Sequence, residues 1–139
     1  MSTEFVDTNI LFYAYDASAG ERHERARELV GRLGRSRDGV ISVQVLQEFV
    51  VNATSKIAVP ISHEEARERV RVYSRWPVHS PTAADVVAAS EISEQSTLSF
   101  WDAMIVRSAS QMHCSVLWTE DLNHGQRVAG VEFRNPFVG

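Results

Sequence analysis

Thr3-Glu4-Phe5-Val6-Asp7-Thr8-Asn9 is a short apolar strand that stops at an acid, and the helical spacing that follows, from about Asn9 to Asp16, begins at once. A strand that carries an acid to its end and turns directly into a helix is how a βα unit of a parallel sheet begins. The alternation repeats outward from there. Ser18-Ala19-Gly20 reads as a turn, and Glu21 to about Arg35 as a helix with Ala26, Leu29, Val30 and Leu33 inward. Gly39 to Ser42 is a second strand, with Ser42 placed to cap a helix bearing Leu46, Phe49, Val50, Ala53 and Ile57 on one face. Two capping boxes, Ser62-His63-Glu64-Glu65 and Thr82-Ala83-Ala84-Asp85, open further helices. The first helix should bury Ala66, Val70 and Tyr73, and the second Val87, Ala88 and Ile92. A short strand over Trp76–Ser80 lies between them. Phe100 to about Met112 is helical, with Trp101, Met104, Ile105 and Ser108 along one side. Ser115–Thr119 is a buried strand and Val131–Arg134 a final edge strand. The expected fold is α/β, a sandwich around a mostly parallel sheet of about five strands.

A chain of 139 residues suits one domain, expected to span 1–139. With 44% apolar and 23% charged residues, the composition is that of a globular protein. No apolar run reaches the roughly 20 residues that cross a bilayer, and Met1-Ser2-Thr3-Glu4 lacks the basic and apolar regions of a secretory leader. No membrane association and a cytoplasmic location are the expectation. The single cysteine, Cys114, excludes an intrachain disulfide and a cysteine-based metal site. None of the five histidines forms an i,i+4 pair, so no zinc site is assigned.

The net charge of −4 does not mark a strongly basic nucleic-acid binder. Its layout is uneven, with six arginines between Arg22 and Arg37. That segment reads as a solvated helix face with pairs such as Glu21–Arg25, not as a phosphate site. The informative acids are those standing alone among apolar neighbours: Asp7 at the end of the first strand, Glu48 in Leu46-Gln47-Glu48-Phe49, Asp102 in Phe100-Trp101-Asp102-Ala103, and Asp121 after the strand Ser115–Thr119. Singly, each has an ordinary reading. Asp7 and Asp121 fit caps, Asp102 fits a capping box with Ser99, and Glu48 fits a solvated helix position, with Asn52 one turn on. Together they fall where ligands of open parallel sheets sit, beyond the carboxyl ends of the strands. Four clustered carboxylates repel one another, and a hard divalent cation relieves the repulsion. An all-oxygen donor set suits Mg²⁺ or Mn²⁺.

On these motifs, Val6-Asp7-Thr8-Asn9, Gln47-Glu48, Phe100-Trp101-Asp102-Ala103 and Thr119-Glu120-Asp121-Leu122, in this order and along essentially the whole chain, the sequence resembles the PIN-domain ribonucleases, and among them the VapC toxins of bacterial toxin–antitoxin pairs. The resemblance implies a PIN-like three-layer α/β/α sandwich and an endoribonuclease that cuts RNA through a Mg²⁺- or Mn²⁺-bound water. It makes Asp7 and Asp102 the principal metal ligands, lets Asp121 complete the pocket directly or through water, and gives Glu48 a water-mediated or nucleophile-orienting role. Thr8, Asn9 and Thr119 become supporting hydrogen-bond groups. A homodimer and a cognate antitoxin that blocks the cleft are also implied. A housekeeping RNA-processing PIN nuclease and a catalytically idle RNA- or partner-binding module are the alternatives.

Two rival phosphoryl chemistries fit less well. A phosphoacceptor receiver needs a lysine late in the sheet, and the only lysine is Lys56. A haloacid-dehalogenase-type phosphatase needs a second Asp two residues after the first, where Asn9 stands. Trp101, Trp118 and the aromatics Phe12, Tyr13 and Tyr15 are expected to pack, and His124 is the histidine that sequence places beside the acids.

Overall fold

The structure, a computed structural model, describes residues 2–57 and 59–138, so Met1, Ala58 and Gly139 of the expected span lie outside the described residues. Strands and helices alternate as β1 (Thr3–Val6), α1 (Thr8–Tyr15), α2 (Glu21–Ser36), β2 (Gly39–Ser42), α3 (Val43–Ser55), α4 (His63–Tyr73), β3 (Val78–His79), α5 (Ala83–Ser96), α6 (Phe100–Gln111), β4 (Cys114–Trp118), β5 (Arg127–Val128) and β6 (Val131–Arg134). A single 3-10 turn over Ala17–Ala19 joins α1 to α2 through Gly20, whose φ of 65° and ψ of −127° are closed to side chains with a Cβ.

The sheet order is β3-β2-β1-β4-β6-β5. Its pairings are parallel except β5 with β6. The chain steps outward from β1 through β2 to β3, then returns across β1 to β4. Because such crossovers are right-handed, the return sends α1–α4 to one face and α5 and α6 to the other. The packing agrees, since α1 contacts α2 and α3, and α5 contacts α6, which lies on β2, β4 and β6. This is the three-layer α/β/α sandwich. Helices on both faces explain why the strands read as apolar runs: Phe5, Val6, Val40, Ile41, Leu117 and Phe133 are at most 2% exposed. On the α1–α4 side, Phe49 meets Tyr73 and Tyr15 edge-on at 5.4 and 6.1 Å, so Tyr15 packs, as does Phe12 against Phe49 at 6.3 Å.

The helix starts follow the expected caps. Ser42 Oγ accepts from the Val45 N–H at 3.3 Å and Ser62 Oγ from the Glu65 N–H at 3.0 Å. The Asp85 carboxylate accepts from the Thr82 N–H at 2.8 Å. Asp85 also does something the sequence did not suggest. It is 3% exposed, accepts from Arg107 Nε at 2.8 Å and lies 3.5 Å from His79 Nε2, whose Nδ1 shares a 2.8 Å hydrogen bond with Ser108 Oγ. Backbone donation from Thr82, then Arg107, holds its carboxyl below the usual carboxylate range. This buried polar chain fastens β3, α5 and α6 together, and Ser108, at 0% exposure, is out of reach of any substrate.

Three expectations are corrected. The sheet of about five strands gains a short sixth, because the two residues of β5 pair with β6, too short a segment to show alternation. Val131–Arg134 is therefore not an edge strand; it lies between β4 and β5. The strand expected over Trp76–Ser80 narrows to Val78–His79. Two side chains expected inside are outside: Val87 at 60% and Trp101 at 64% exposure. The face of α5 that turns inward runs through Asp85, Ala89 and Ile92, at i, i+4 and i+7, so a carboxylate occupies a position that apolar periodicity cannot register.

Candidate active site

The reversal of strand order between β1 and β4 opens a crevice at the carboxyl ends of these two parallel strands, the position where open α/β sheets take their ligands. Asp7 follows β1 and Asp121 follows β4 by three residues. The backbone links the two strand ends, the Asp7 N–H donating to the Trp118 carbonyl at 3.0 Å. From the flanking helices, α3 brings Glu48 and the first turn of α6 brings Asp102. All four acids line one cleft of about 380 Å³, together with Thr8, Asn9, Gln47, Val51, Asn52, Lys56 and Ile105. The polar strip Glu48–Asn52 does face this cleft.

Each acid except Asp102 is held by neighbours. Asp7, 6% exposed, accepts the Thr8 N–H at 2.7 Å on Oδ1 and the Thr119 hydroxyl at 2.8 Å on Oδ2. The Thr119 hydroxyl oxygen in turn accepts from the Asp121 N–H at 3.2 Å, so one threonine links the two strand ends. Asn9 Nδ2 donates to Asp121 Oδ2 at 3.0 Å. Thr8 Oγ donates to Glu48 Oε1 at 2.6 Å, and Gln44 Nε2 donates to Glu48 Oε2 at 3.2 Å. For Asp102, the backbone N–H donates to Ser99 Oγ at 3.1 Å, but its carboxylate accepts no hydrogen bond among the described residues. The expected capping box is thus half formed, leaving that carboxylate free toward the cleft.

The electrostatics reflect the crowding. Burial pushes the Asp7 carboxyl up to about 7, overriding the Thr119 and Thr8 donors, and nearby Glu48 and Asp121 add to the rise. Asp121 is also raised, first by burial and then by Asp102, Glu120 and Glu48. Glu120 itself is turned away and neutralised, bound by Arg22 Nε at 2.6 Å and by the Tyr13 hydroxyl at 3.0 Å. The four acids are a set of repelling oxygens, and among the described residues none of them is paired with a Lys, Arg or His side chain.

Such a donor set fits a hard divalent cation. Among the described residues no three His, Cys, Asp or Glu side chains are close enough to hold one ion jointly. Mg²⁺ does not need such a cage, since it keeps most of its waters and is commonly held by one or two carboxylates. The free carboxylate of Asp102 and the destabilised one of Asp7 are the groups that would gain most from it.

Two further residues bear on the site, Gln44 behind Glu48 and Lys56 on the cleft wall. Gln44 stands at i−4 from Glu48, a spacing at which Gln and an acid meet on a helix, and it also donates to the Trp101 carbonyl at 3.1 Å, tying α3 to α6. Lys56, too early in the chain for a receiver's lysine, stands on the cleft wall. His124, by contrast, is outside the cleft lining, its Nδ1 accepting the Asn135 N–H at 3.0 Å.

Comparison with known proteins bears on the whole arrangement. A search of curated sequences returns no significant match. Among solved structures, the chain is similar to a toxin–antitoxin complex from Klebsiella pneumoniae (TM-score 0.72, 20% identity, covering 97% of this chain and 98% of that one). It is similar also to DNA-bound VapBC from Salmonella typhimurium (0.69, 20%, 98% and 99%). A third likeness is to the Mycobacterium tuberculosis VapC20, described as a Sarcin-Ricin loop cleaving toxin (0.63, 20%, 83% and 87%). At these identities the likeness is one of fold. The family model described as PIN domain matches residues 5–130, a span that carries all four acids, the end of β1 and the whole of β2 to β5, and the chain belongs to the PIN domain family.

Proposed function

We propose that this protein is a Mg²⁺- or Mn²⁺-dependent endoribonuclease, the toxin component of a toxin–antitoxin pair. The observation that carries the reading is the convergence of Asp7, Glu48, Asp102 and Asp121, from four separate elements, on the crevice at the strand reversal. Family membership supports a nuclease, and neighbours described as toxin–antitoxin complexes support a protein antitoxin as partner. A homodimer is part of the same reading.

Asp7 and Asp102 would hold the cation directly, and Asp121 directly or through water. A bound divalent cation supplies Lewis acidity toward the phosphoryl group and a water of lowered pKa. The residues of the chain do the positioning. Thr119 fixes the rotamer of Asp7 and the backbone of Asp121, and Asn9 fixes the carboxylate of Asp121. Glu48, gripped by Thr8 on one oxygen and Gln44 on the other, is aimed to accept a proton from the attacking water. An RNA phosphodiester is the substrate class, hydrolysed to leave a 5′-phosphate.

The test is induction of the wild type and of Asp7→Ala in a bacterium, followed by mapping of RNA 5′ ends. New 5′-phosphate ends should form with the wild type alone, and the purified protein should lose activity in EDTA and regain it with Mg²⁺ or Mn²⁺. Undiminished cleavage in EDTA or by Asp7→Ala overturns the mechanism. Co-purification with a small protein encoded beside it, and release of activity on its removal, tests the toxin assignment.

A further inference from the structure

The cleft has one cation on its wall. Lys56, the single lysine in the chain, follows α3 at its C-terminal cap and lines the same cleft as the four acids. Most arginines with a stake in the fold are occupied. Arg22, Arg25, Arg27, Arg32, Arg71, Arg107, Arg127 and Arg134 each pair with a carboxylate, and Arg69 lies over the rings of Tyr15 and Tyr73 at 5.3 and 4.9 Å. Lys56 forms no ion pair among the described residues, although it shares a cleft with four acids. Its distance along the helix explains this. Glu48, Asn52 and Lys56 stand at i, i+4 and i+8, so the ammonium-bearing residue is displaced from Glu48 by about 12 Å of helix rise. At that spacing the ammonium pairs with none of the acids among the described residues and is left to meet a different part of a long anionic substrate. A strand whose scissile phosphate lies at the acids and whose backbone runs along α3 passes Asn52, a donor and acceptor, and then Lys56.

We propose that Lys56 is a substrate-binding residue that holds a backbone phosphate adjoining the one cut, making α3 the track along which the RNA strand lies. This rests on the ribonuclease reading above. A lysine is suited to the task because a strongly hydrated point charge on a flexible stem takes phosphate without demanding one orientation. The competing explanation is that Lys56 merely satisfies the negative C-terminal end of α3, or lowers the overall repulsion of the acids.

The experiment compares wild type, Lys56→Gln and Lys56→Arg. Binding of a fluorescent single-stranded RNA oligomer is followed by anisotropy in EDTA across a monovalent salt series, and steady-state cleavage is followed in Mg²⁺. Loss of one phosphate contact should reduce the slope of log K against log salt by about 0.7 for a single strand. Lys56→Gln should show that reduction, a KM raised several-fold and a nearly unchanged kcat, and Lys56→Arg should restore slope and KM. Mn²⁺ affinity measured without RNA should be the same in all three proteins. If wild type binds RNA and Lys56→Gln binds it with the same slope, the proposal fails alone. If Mn²⁺ affinity shifts while the RNA slope does not, Lys56 is a charge neutraliser and the proposal is overturned. If wild type neither binds nor cuts RNA, the ribonuclease reading falls first and this inference falls with it.

Discussion

Replacing Asp7 by Asn should stabilise the metal-free protein. The Asp7 carboxyl is held at about 7 against 3.8 for the unperturbed group, chiefly by burial. The sign follows from linkage. A group whose pKa is raised on folding contributes most below its unfolded pKa, and that contribution is lost as pH rises through the folded value. Below about pH 4, Asp7 is neutral in both states and costs nothing. Between about 4 and 7 the penalty grows, and above 7 it reaches ~4 kcal/mol, taken as an upper bound. Asparagine carries the same shape without the charge. Its Oδ1 can still accept the Thr8 N–H now 2.7 Å from Asp7. Its amide must face the Thr119 hydroxyl, which has to turn its proton elsewhere, at a cost of ~1 kcal/mol. A net gain of ~1–3 kcal/mol at pH 8 follows, a rise of roughly 4–10 °C in Tm for a chain of this length. The assay is thermal and urea unfolding in EDTA at pH 8 and pH 5, with a smaller gain expected at pH 5. Adding Mg²⁺ should reverse the order. The wild type gains ~2.7 kcal/mol at a hundredfold excess over Kd, while Asp7→Asn responds little. A variant no more stable than wild type at pH 8 in EDTA would refute the claim that this carboxylate is an uncompensated buried charge.

Other perturbations separate the site from its scaffold. Glu48→Gln should reduce cleavage by ~10²–10⁴-fold if Glu48 accepts the proton, with Tm within a few degrees of wild type by calorimetry. Asp85→Ala should cost ~3–5 kcal/mol in urea unfolding because it leaves Arg107 and His79 without their buried partner. The depressed Asp85 carboxyl also means that its contribution is present above the unfolded carboxylate pKa and lost as pH falls through its folded value, so wild type and Asp85→Ala should converge in stability on strong acidification. Gly39→Ala should destabilise by ~1–3 kcal/mol, since a Cβ there would lie 2.5 Å from the Trp76 ring, while kcat stays unchanged because that contact is at the opposite end of β2 from the acids.

What was legible in the sequence was what local pattern encodes. Strands ending at Asp7 and before Asp121, the caps at Ser42, Ser62 and Thr82, and the apolar stripe of α3 all follow from spacing within a few residues, and they place the acids on the correct elements. Contacts between distant segments carried no such signal. Asp85 looked like a cap because its partners His79 and Arg107 belong to other elements. Trp101 looked like core because helical spacing aligns it with Met104 and Ile105, whereas a first-turn residue can hang beyond the edge of the layer it starts. The β5 strand exists only as the partner of β6. The hydrogen bonds that fix Asp7 to Thr119 and Glu48 to Thr8 join residues 112 and 40 apart in sequence and depend on how the elements are arranged around the sheet.

That sheet order has a temporal consequence. β1 lies between β2 and β4, but only β4 supplies Thr119, the residue whose hydroxyl fixes Asp7 and supports Asp121. On a chain growing from its N-terminus, Asp7 and Glu48 precede β4 by more than 60 residues and Asp102 by 12, so none of them meets a completed crevice before β4 is made. The acidic pocket is therefore complete only once the segment Cys114–Asp121 lies beside β1.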